Sequence, residues 1–144
     1  MRADYLNVNS QQTGNYKKKT LLVNADITLT ESDSGKVIFL DAAAGTVAVT
    51  LPTASSGEDG IYYQFVVWEE TPSNAITLGA GSAIVSLVMK DAGGNASNST
   101  VGTQVSNLII GTSAQRGDYI NMLFFQGEWA ADCLSGIDNA VTTS

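Results

Sequence analysis

Residues 27–52 read ITLTESDSGKVIFLDAAAGTVAVTLP, and this stretch decides the predicted fold. Apolar and polar residues alternate over 27–30 and again over 47–51, which is the period-two pattern of a β-strand with one buried face. Turn-forming residues at 32–35 and 41–45 enclose a short apolar run between them. The stretch therefore predicts strand, turn, strand, turn, strand, and neither face of these strands carries residues suited to catalysis.

The composition and patterning of the rest of the chain also favour β-strands. Glycine is abundant, with 14 residues, only 15% of residues are charged, and no segment combines helix caps with a 3.6-residue period. Many short strands separated by turns are typical of a sandwich or barrel. We expect an all-β protein with a single compact antiparallel β-sandwich or barrel, jelly-roll-like, and an extended N-terminal arm. The expected segments are an arm over 1–19, a β-rich domain over 20–137 and a flexible C-terminal tail over 138–144.

The predicted strands lie near 20–23, 26–30, 36–41, 46–51, 61–68, 75–79, 83–90, 105–110, 118–126 and 128–134. A run of small polar residues over 91–103 predicts a long loop, either mobile or ordered on contact with a partner.

The charge distribution argues against nucleic acid as a partner. The formal net charge of the 144 residues is -7, whereas phosphate binding needs a basic surface. No apolar run approaches the length that spans a membrane, and no secretory signal segment is visible. We therefore expect synthesis and folding in a reducing cytoplasm, or a fold that needs no covalent support in another compartment. Cations cluster instead in the predicted arm, which either docks on an acidic surface or forms a solvated lead into the first strand. The candidate docking residues are Arg2, Tyr5, Tyr16, Lys17, Lys18 and Lys19.

The sequence contains few residues suited to catalysis or metal binding. It contains no histidine, the commonest general base and metal ligand, so nothing is present to activate the single thiol of Cys133. The adjacent carboxylate pairs at 58–59 and 69–70 point to opposite faces of extended backbone and do not converge. We therefore expect no enzyme activity, no cofactor and no metal site. The alternative for a metal is a calcium site built from Asp side chains and loop carbonyls, although no EF-hand-like pattern occurs. The tripeptide at 116–118, Arg-Gly-Asp, is interpreted as the start of a strand and not as an adhesion motif.

Aromatic residues suggest a contact surface. Residues 61–68 place bulky side chains on both faces of one strand, which favours burial on two sides, in the domain or against another copy. A platform for carbohydrate stacking is the alternative. The candidate self-association or partner residues are Tyr62, Trp68, Phe125 and Trp129.

Three segments also resemble phage virion structural proteins. Residues 27–52 are similar to a recurring pattern of threonine-rich strand, D-S-G-K turn, short hydrophobic strand, Ala-Ala-Gly turn and T-V-x-L-P strand. The segment GEDGIYYQFVVWEET resembles the aromatic strand that follows it there. GDYINMLFFQGEWAADCLSG resembles a late hairpin of phage decoration and fibre domains.

This resemblance implies a β-rich module, commonly trimeric, that decorates or cements a capsid. The chain lacks a coiled-coil segment and a repeat array, which favours a decoration protein over a fibre. The implied partners are other copies of the chain, as a homotrimer, and the major capsid protein, and the implied location is the capsid exterior of the virion. The alternative is a tail-fibre or tailspike-type module that binds a host glycan.

Overall fold

A computed structural model describes residues 17–53, 59–90, 104–137 and 139–144. These residues form ten strands and one short 3-10 turn at Glu31–Asp33, with no α-helix among them, so the prediction of a nearly all-β protein is confirmed. The predicted loop over 91–103 and most of the predicted arm lie outside the described residues. The strands are β1 (Thr20–Val23), β2 (Ile27–Thr28), β3 (Val37–Leu40), β4 (Val47–Leu51), β5 (Tyr62–Val67), β6 (Ile76–Lys90), β7 (Gln104–Ile110), β8 (Tyr119–Phe125), β9 (Glu128–Leu134) and β10 (Val141–Thr143).

The long strand β6 joins two sets of strands. Hydrogen bonding follows the order β1-β3-β5-β8-β9-β6-β4-β2, with β7 paired to β6 and β10 paired to β7. Residues 76–80 of β6 pair with β4, and residues 84–90 pair with β9. We call β1, β3, β5, β8 and β9 the first set and β2, β4, β7 and β10 the second set. Buried side chains from both sets form one hydrophobic cluster, an arrangement compatible with a sandwich.

The prediction of an antiparallel sheet is wrong, because the ladders are of both kinds. The pairs β1–β3, β3–β5, β2–β4, β4–β6 and β6–β9 are parallel, whereas β5–β8, β8–β9, β6–β7 and β7–β10 are antiparallel. The reason is that the chain alternates between the two sets from β1 to β6, so consecutive strands are not neighbours. The segment from β1 to β3 is long enough for the crossover that parallel pairing needs, and it carries β2 in the other set.

The core comes from the inward side chains of each alternating strand. β4 shows strict alternation of buried and exposed residues, as its sequence predicts. Across the first set, one inward row runs in register through Leu21, Ile38, Phe65, Ile120 and Cys133. All but Leu21 are fully buried, so hydrophobic burial fixes which face of these strands points inward.

The observed strand β6 differs from its predicted boundaries. The expected break between the predicted strands at 75–79 and 83–90 is instead part of the continuous strand β6, whose pairing with β7 shifts register between Gly79 and Ile84. Glycine inside a strand often marks such an irregularity or a close approach. A Cβ atom on Gly79 would lie 3.0 Å from the Asn107 side-chain oxygen. The close approach explains the glycine without a turn.

The predicted flexible C-terminal tail is also corrected. Val141–Thr143 forms β10, which pairs antiparallel with β7, and Val141 is buried. The backbone N–H groups of Ser106 and Asn107 donate to the carbonyl oxygen of Ser144. An apolar residue in register with a neighbouring strand outweighs the polar composition that suggested fraying.

The D-S-G-K turn connects the two sets. Asp33 accepts hydrogen bonds from the Thr30 backbone N–H at 2.9 Å and from the Lys36 ammonium at 2.6 Å. Gly35 has a positive φ of 82°, a conformation that glycine adopts without strain, and its N–H donates to the Tyr62 carbonyl oxygen at 2.7 Å. The turn is thereby fixed against the start of β5.

Candidate docking surface

The outward face of the first set carries an apolar row that crosses all five of its strands. Leu22 pairs with Phe39, Phe39 with Val66, Val66 with Tyr119, and Tyr119 with Leu134. At the usual spacing between strands, these five residues span roughly 19 Å. We call them the outer row. Its two ends are exposed, Leu22 by 55% and Leu134 by 42%, and its centre is half-buried.

One end of the outer row opens into a groove beside Trp68, which follows β5 directly. The groove has a volume of about 280 Å³ and is lined by Thr20, Leu22, Phe39 and Trp68. We call it the Trp68 groove. The Phe39 ring meets the indole edge-on, with ring centroids 5.2 Å apart, and 48% of Trp68 remains exposed. The groove is therefore an apolar depression with room for a side chain of a binding partner.

Arg116 holds Trp68 in place. Its guanidinium lies 5.3 Å from the indole centroid, and its Nε donates a 2.6 Å hydrogen bond to the Trp68 carbonyl oxygen. The backbone N–H of Trp68 donates to the Leu40 carbonyl oxygen, which continues the β3–β5 ladder by one residue. These contacts pre-orient the indole, and a pre-oriented side chain loses less conformational entropy when its surface is covered.

The side chain of Asp118 also makes hydrogen bonds within the protein. It is nearly buried, and its carboxylate accepts hydrogen bonds from the backbone N–H groups of Gln115 and Gly136 and from the Ser135 hydroxyl at 2.8–3.0 Å. The Arg-Gly-Asp tripeptide therefore ties the start of β8 to Trp68 and to the end of β9. These structural contacts agree with its interpretation as the start of a strand.

Three lysines lie beside the Trp68 groove. Lys17, Lys18 and Lys19 are exposed and directly precede β1, whose residue Thr20 lines the groove. Among the described residues, Lys36 forms an ion pair with Asp33, whereas these three lysines form none. The surface therefore combines apolar groups with positive charge. The other predicted arm residues, Arg2, Tyr5 and Tyr16, lie outside the described residues.

The aromatic residues predicted at a partner surface separate into two groups. Phe125 is 58% exposed, and Tyr62 is half-buried, with its hydroxyl donating to the Asn121 side-chain oxygen at 3.0 Å. Trp129, in contrast, is fully buried, so its assignment to a partner surface is wrong. Its ring stacks on Tyr63 at 5.6 Å and meets Phe124 at 5.2 Å. Alternation along β9 points Trp129 inward, with Ala131 and Cys133.

The described carboxylates mostly support the backbone. Asp26, Asp41, Asp59 and Glu69 each accept a hydrogen bond from a backbone N–H, at Ala48, Ala43, Gln126 and Ala42 respectively. Within the described ranges, no group of three or more Cys, Asp or Glu residues is arranged to hold a metal ion. Burial, followed by the nearby charge of Asp132, raises the pKa of the Cys133 thiol to about 12, which keeps it protonated at neutral pH. These described groups therefore make contacts that stabilise the fold.

Sequence reasoning missed most of the outer row. Trp68 was identified as an aromatic residue of its strand, but Leu22, Phe39 and Leu134 come from three other strands, and their alignment depends on which strands pair and in which register. The LLV run of β1 was the available signal, since two adjacent leucines in a short strand must point to opposite faces.

Comparison with known proteins adds no assignment. No protein-family model matches this sequence, and no curated protein matches it. The structure contains no helix, within the ranges it describes, that is long and apolar enough to cross a membrane.

Proposed function

We propose that this protein is a phage virion structural protein that binds the outer capsid surface and stabilises the shell as a decoration or cement protein. The observation that supports this most strongly is the outer row, whose exposed apolar ends lie on a preformed sheet face near the exposed Lys17, Lys18 and Lys19. An apolar face with a groove and a charged border is the kind of surface that packs against another protein. The motif resemblance of residues 27–52 is consistent with the same role.

Binding to an assembled shell supplies the mechanism of stabilisation. A protein that binds the assembled state and not its dissociated subunits shifts the equilibrium toward assembly by mass action. Attachment through several linked copies strengthens weak individual contacts. We propose a homotrimer for this reason, with Phe125 and Tyr62 as candidate contacts between copies, the major capsid protein as the partner, and the sandwich as the rigid body that bridges capsid subunits.

Co-sedimentation with shells of the cognate major capsid protein tests the proposal. We expect the wild-type chain to pellet with the shells, and we expect Leu22→Ser and Leu134→Ser to lose most of that binding. Ile137→Ser is the matched control, because Ile137 is another exposed apolar residue but lies outside the outer row. Wild-type protein that stays in the supernatant at saturating shell concentration would contradict the proposal.

A second candidate function is supported by one observation, the exposed indole of Trp68. Sugars stack on tryptophan, so a host-glycan-binding module of the tail-fibre or tailspike type would use this side chain. Binding on a glycan array that is lost in Trp68→Ala, with the fold retained, would favour this function. Trp129→Ala is unsuitable for the experiment, because Trp129 belongs to the core.

A further inference from the structure

The outer edge of β1 exposes backbone groups that a strand could pair with. Among the described strands, β1 pairs only with β3 and stands at one end of the hydrogen-bonded order. The carbonyl oxygens of Lys19 and Val23 accept from β3 and the residue after it, at 3.0 and 2.9 Å. Successive peptide groups in a strand point to alternate sides. The N–H and C=O groups of Thr20 and Leu22 therefore point away from β3, along the outer edge.

The outer edge of β1 also borders the Trp68 groove. Natural sheets cover or disrupt exposed edges, because an open edge is a template for pairing with another chain. Here the outward side chains of Thr20 and Leu22 form part of the Trp68 groove. A strand added to β1 would place one of its alternate side chains over this groove, while its backbone pairs with the edge.

We propose that the outer edge of β1 accepts an extended acidic segment of a partner protein as an added strand. Its apolar side chain occupies the Trp68 groove, and its carboxylates meet Lys17, Lys18 and Lys19. Main-chain hydrogen bonds then supply affinity, and the groove and the lysines supply specificity. The inference deepens the proposed function and rests on it only for identifying the partner as a capsid subunit.

Charge favours an acidic partner over a second copy of this chain. Antiparallel pairing of two β1 strands centred on Leu22 would set Lys18 of each copy opposite Asp26 of the other. The carboxylate of Asp26 already accepts a 2.8 Å hydrogen bond from the Ala48 N–H. Lys17 and Lys19 would face Ile27 and Ala25, so two of the three cations would have no anionic partner. An acidic segment of a partner can instead offer a carboxylate to each of the three lysines.

Synthetic peptides test the proposal on the full chain. The probes share an alternating Val-Thr core and carry aspartates at the C-terminus, aspartates at the N-terminus, or lysines in their place. We expect at least one acidic peptide to bind in fluorescence polarisation, and the end that carries the acids gives the strand direction. We expect the lysine peptide not to bind. In amide NMR spectra, binding should slow hydrogen exchange at Thr20 and Leu22.

Backbone methylation of the peptide separates strand addition from binding by side chains alone. In one series of peptides, methylation blocks the backbone N–H groups that would face β1. In the other series, it blocks the N–H groups that would face away from β1. We expect one series to lose binding and the other to retain it. Equal binding by both series would overturn the proposal, as would the absence of binding by every acidic peptide.

Protein variants provide the matching test. Thr20→Pro removes an N–H that points to the outer edge and leaves the β1–β3 bonds intact, and Thr20→Val is its control. We expect binding of the acidic peptide to weaken about tenfold or more in Thr20→Pro and to stay unchanged in Thr20→Val. Replacing Lys17, Lys18 and Lys19 by glutamate should abolish binding of the acidic peptide and permit binding of the lysine peptide, and this variant serves if Thr20→Pro does not fold.

Two results distinguish this inference from the proposed function. If Thr20→Pro binds shells as well as the wild type does, strand addition at β1 is wrong and the decoration function stands. If Thr20→Pro converts an oligomer of the wild type into a monomer, a second copy occupies the edge, and the proposal is overturned.

Discussion

Arg116 and Trp68 form the contact that shapes the candidate docking surface. The guanidinium lies 5.3 Å from the indole centroid, and Nε donates to the Trp68 carbonyl oxygen at 2.6 Å. Two residues that a motif search would treat separately, one in an Arg-Gly-Asp tripeptide and one in an aromatic strand, thus act together. The contact joins the end of β5 to the loop before β8.

Replacing Arg116 by alanine should loosen Trp68. We expect a loss of about 1 kcal/mol in the free energy of unfolding, since an exposed cation–π contact and one hydrogen bond are removed. Urea unfolding measures the stability, and acrylamide quenching of Trp68 fluorescence measures its exposure, because Trp129 is buried and shielded. Arg116→Lys keeps the charge but not the planar group. Unchanged quenching in Arg116→Ala would contradict the role given to this contact.

Neighbouring substitutions in β4 should differ sharply. Val49 is buried, and Thr50 is exposed on the opposite face. Val49→Asp places a carboxylate in the core, so we expect a cost of more than about 4 kcal/mol, enough to unfold many domains. Thr50→Asp should cost less than about 0.5 kcal/mol. Circular dichroism and urea titration of both variants provide the measurement. A severe effect at Thr50 would instead reveal that another surface covers this face.

Local sequence patterns predicted the strands, because burial of one face imposes its own period. Nine of the ten strands lie where alternation or apolar runs placed them, and β4 shows the expected side-chain burial throughout. The short strand β10 was missed, since Val141 is its only strongly apolar residue and the flanking residues are polar. A strand whose stability comes from pairing with β7 has little signature of its own.

Pairing between strands could not be predicted in the same way. The turn at Asp33–Lys36 suggested antiparallel neighbours, but β3 pairs in parallel with β1 and β5, because the chain crosses to the other set after each of the strands β1 to β4. Period-two alternation indicates which face of a strand is buried, but it does not indicate which other strand pairs with it. The outer row depends on that pairing, so the sequence identified Trp68 but not the Leu22–Phe39 contact beside it.

Acid should weaken the D-S-G-K turn through Asp33. Hydrogen bonding from Lys36, followed by that from Thr30, holds the pKa of Asp33 below its ordinary value of 3.8. A carboxyl group with a lowered pKa in the folded state contributes stability that is fully present above pH 3.8 and is lost as the pH falls through the folded-state pKa. Thermal melts of the wild type and Asp33→Asn should therefore differ at pH 7 and converge toward pH 2. A constant difference would contradict this account.

Cys133 should be unreactive in the folded protein. Burial raises its pKa to about 12, so only a fraction on the order of one thiol in ten thousand is ionised at pH 8. We expect a disulfide reagent at pH 8 to label Cys133 only after denaturation in urea. Fast labelling of native protein would show that the end of β9 opens readily, and it would argue against the packing described for this strand.

We propose that this chain acts by packing against an assembled protein shell. The most direct test is the disruption temperature of purified shells, measured by scanning calorimetry without the protein and with it at saturating occupancy. We predict a higher disruption temperature for decorated shells, and a smaller rise with Leu22→Ser than with Ile137→Ser. Equal disruption temperatures with and without bound protein would contradict the account.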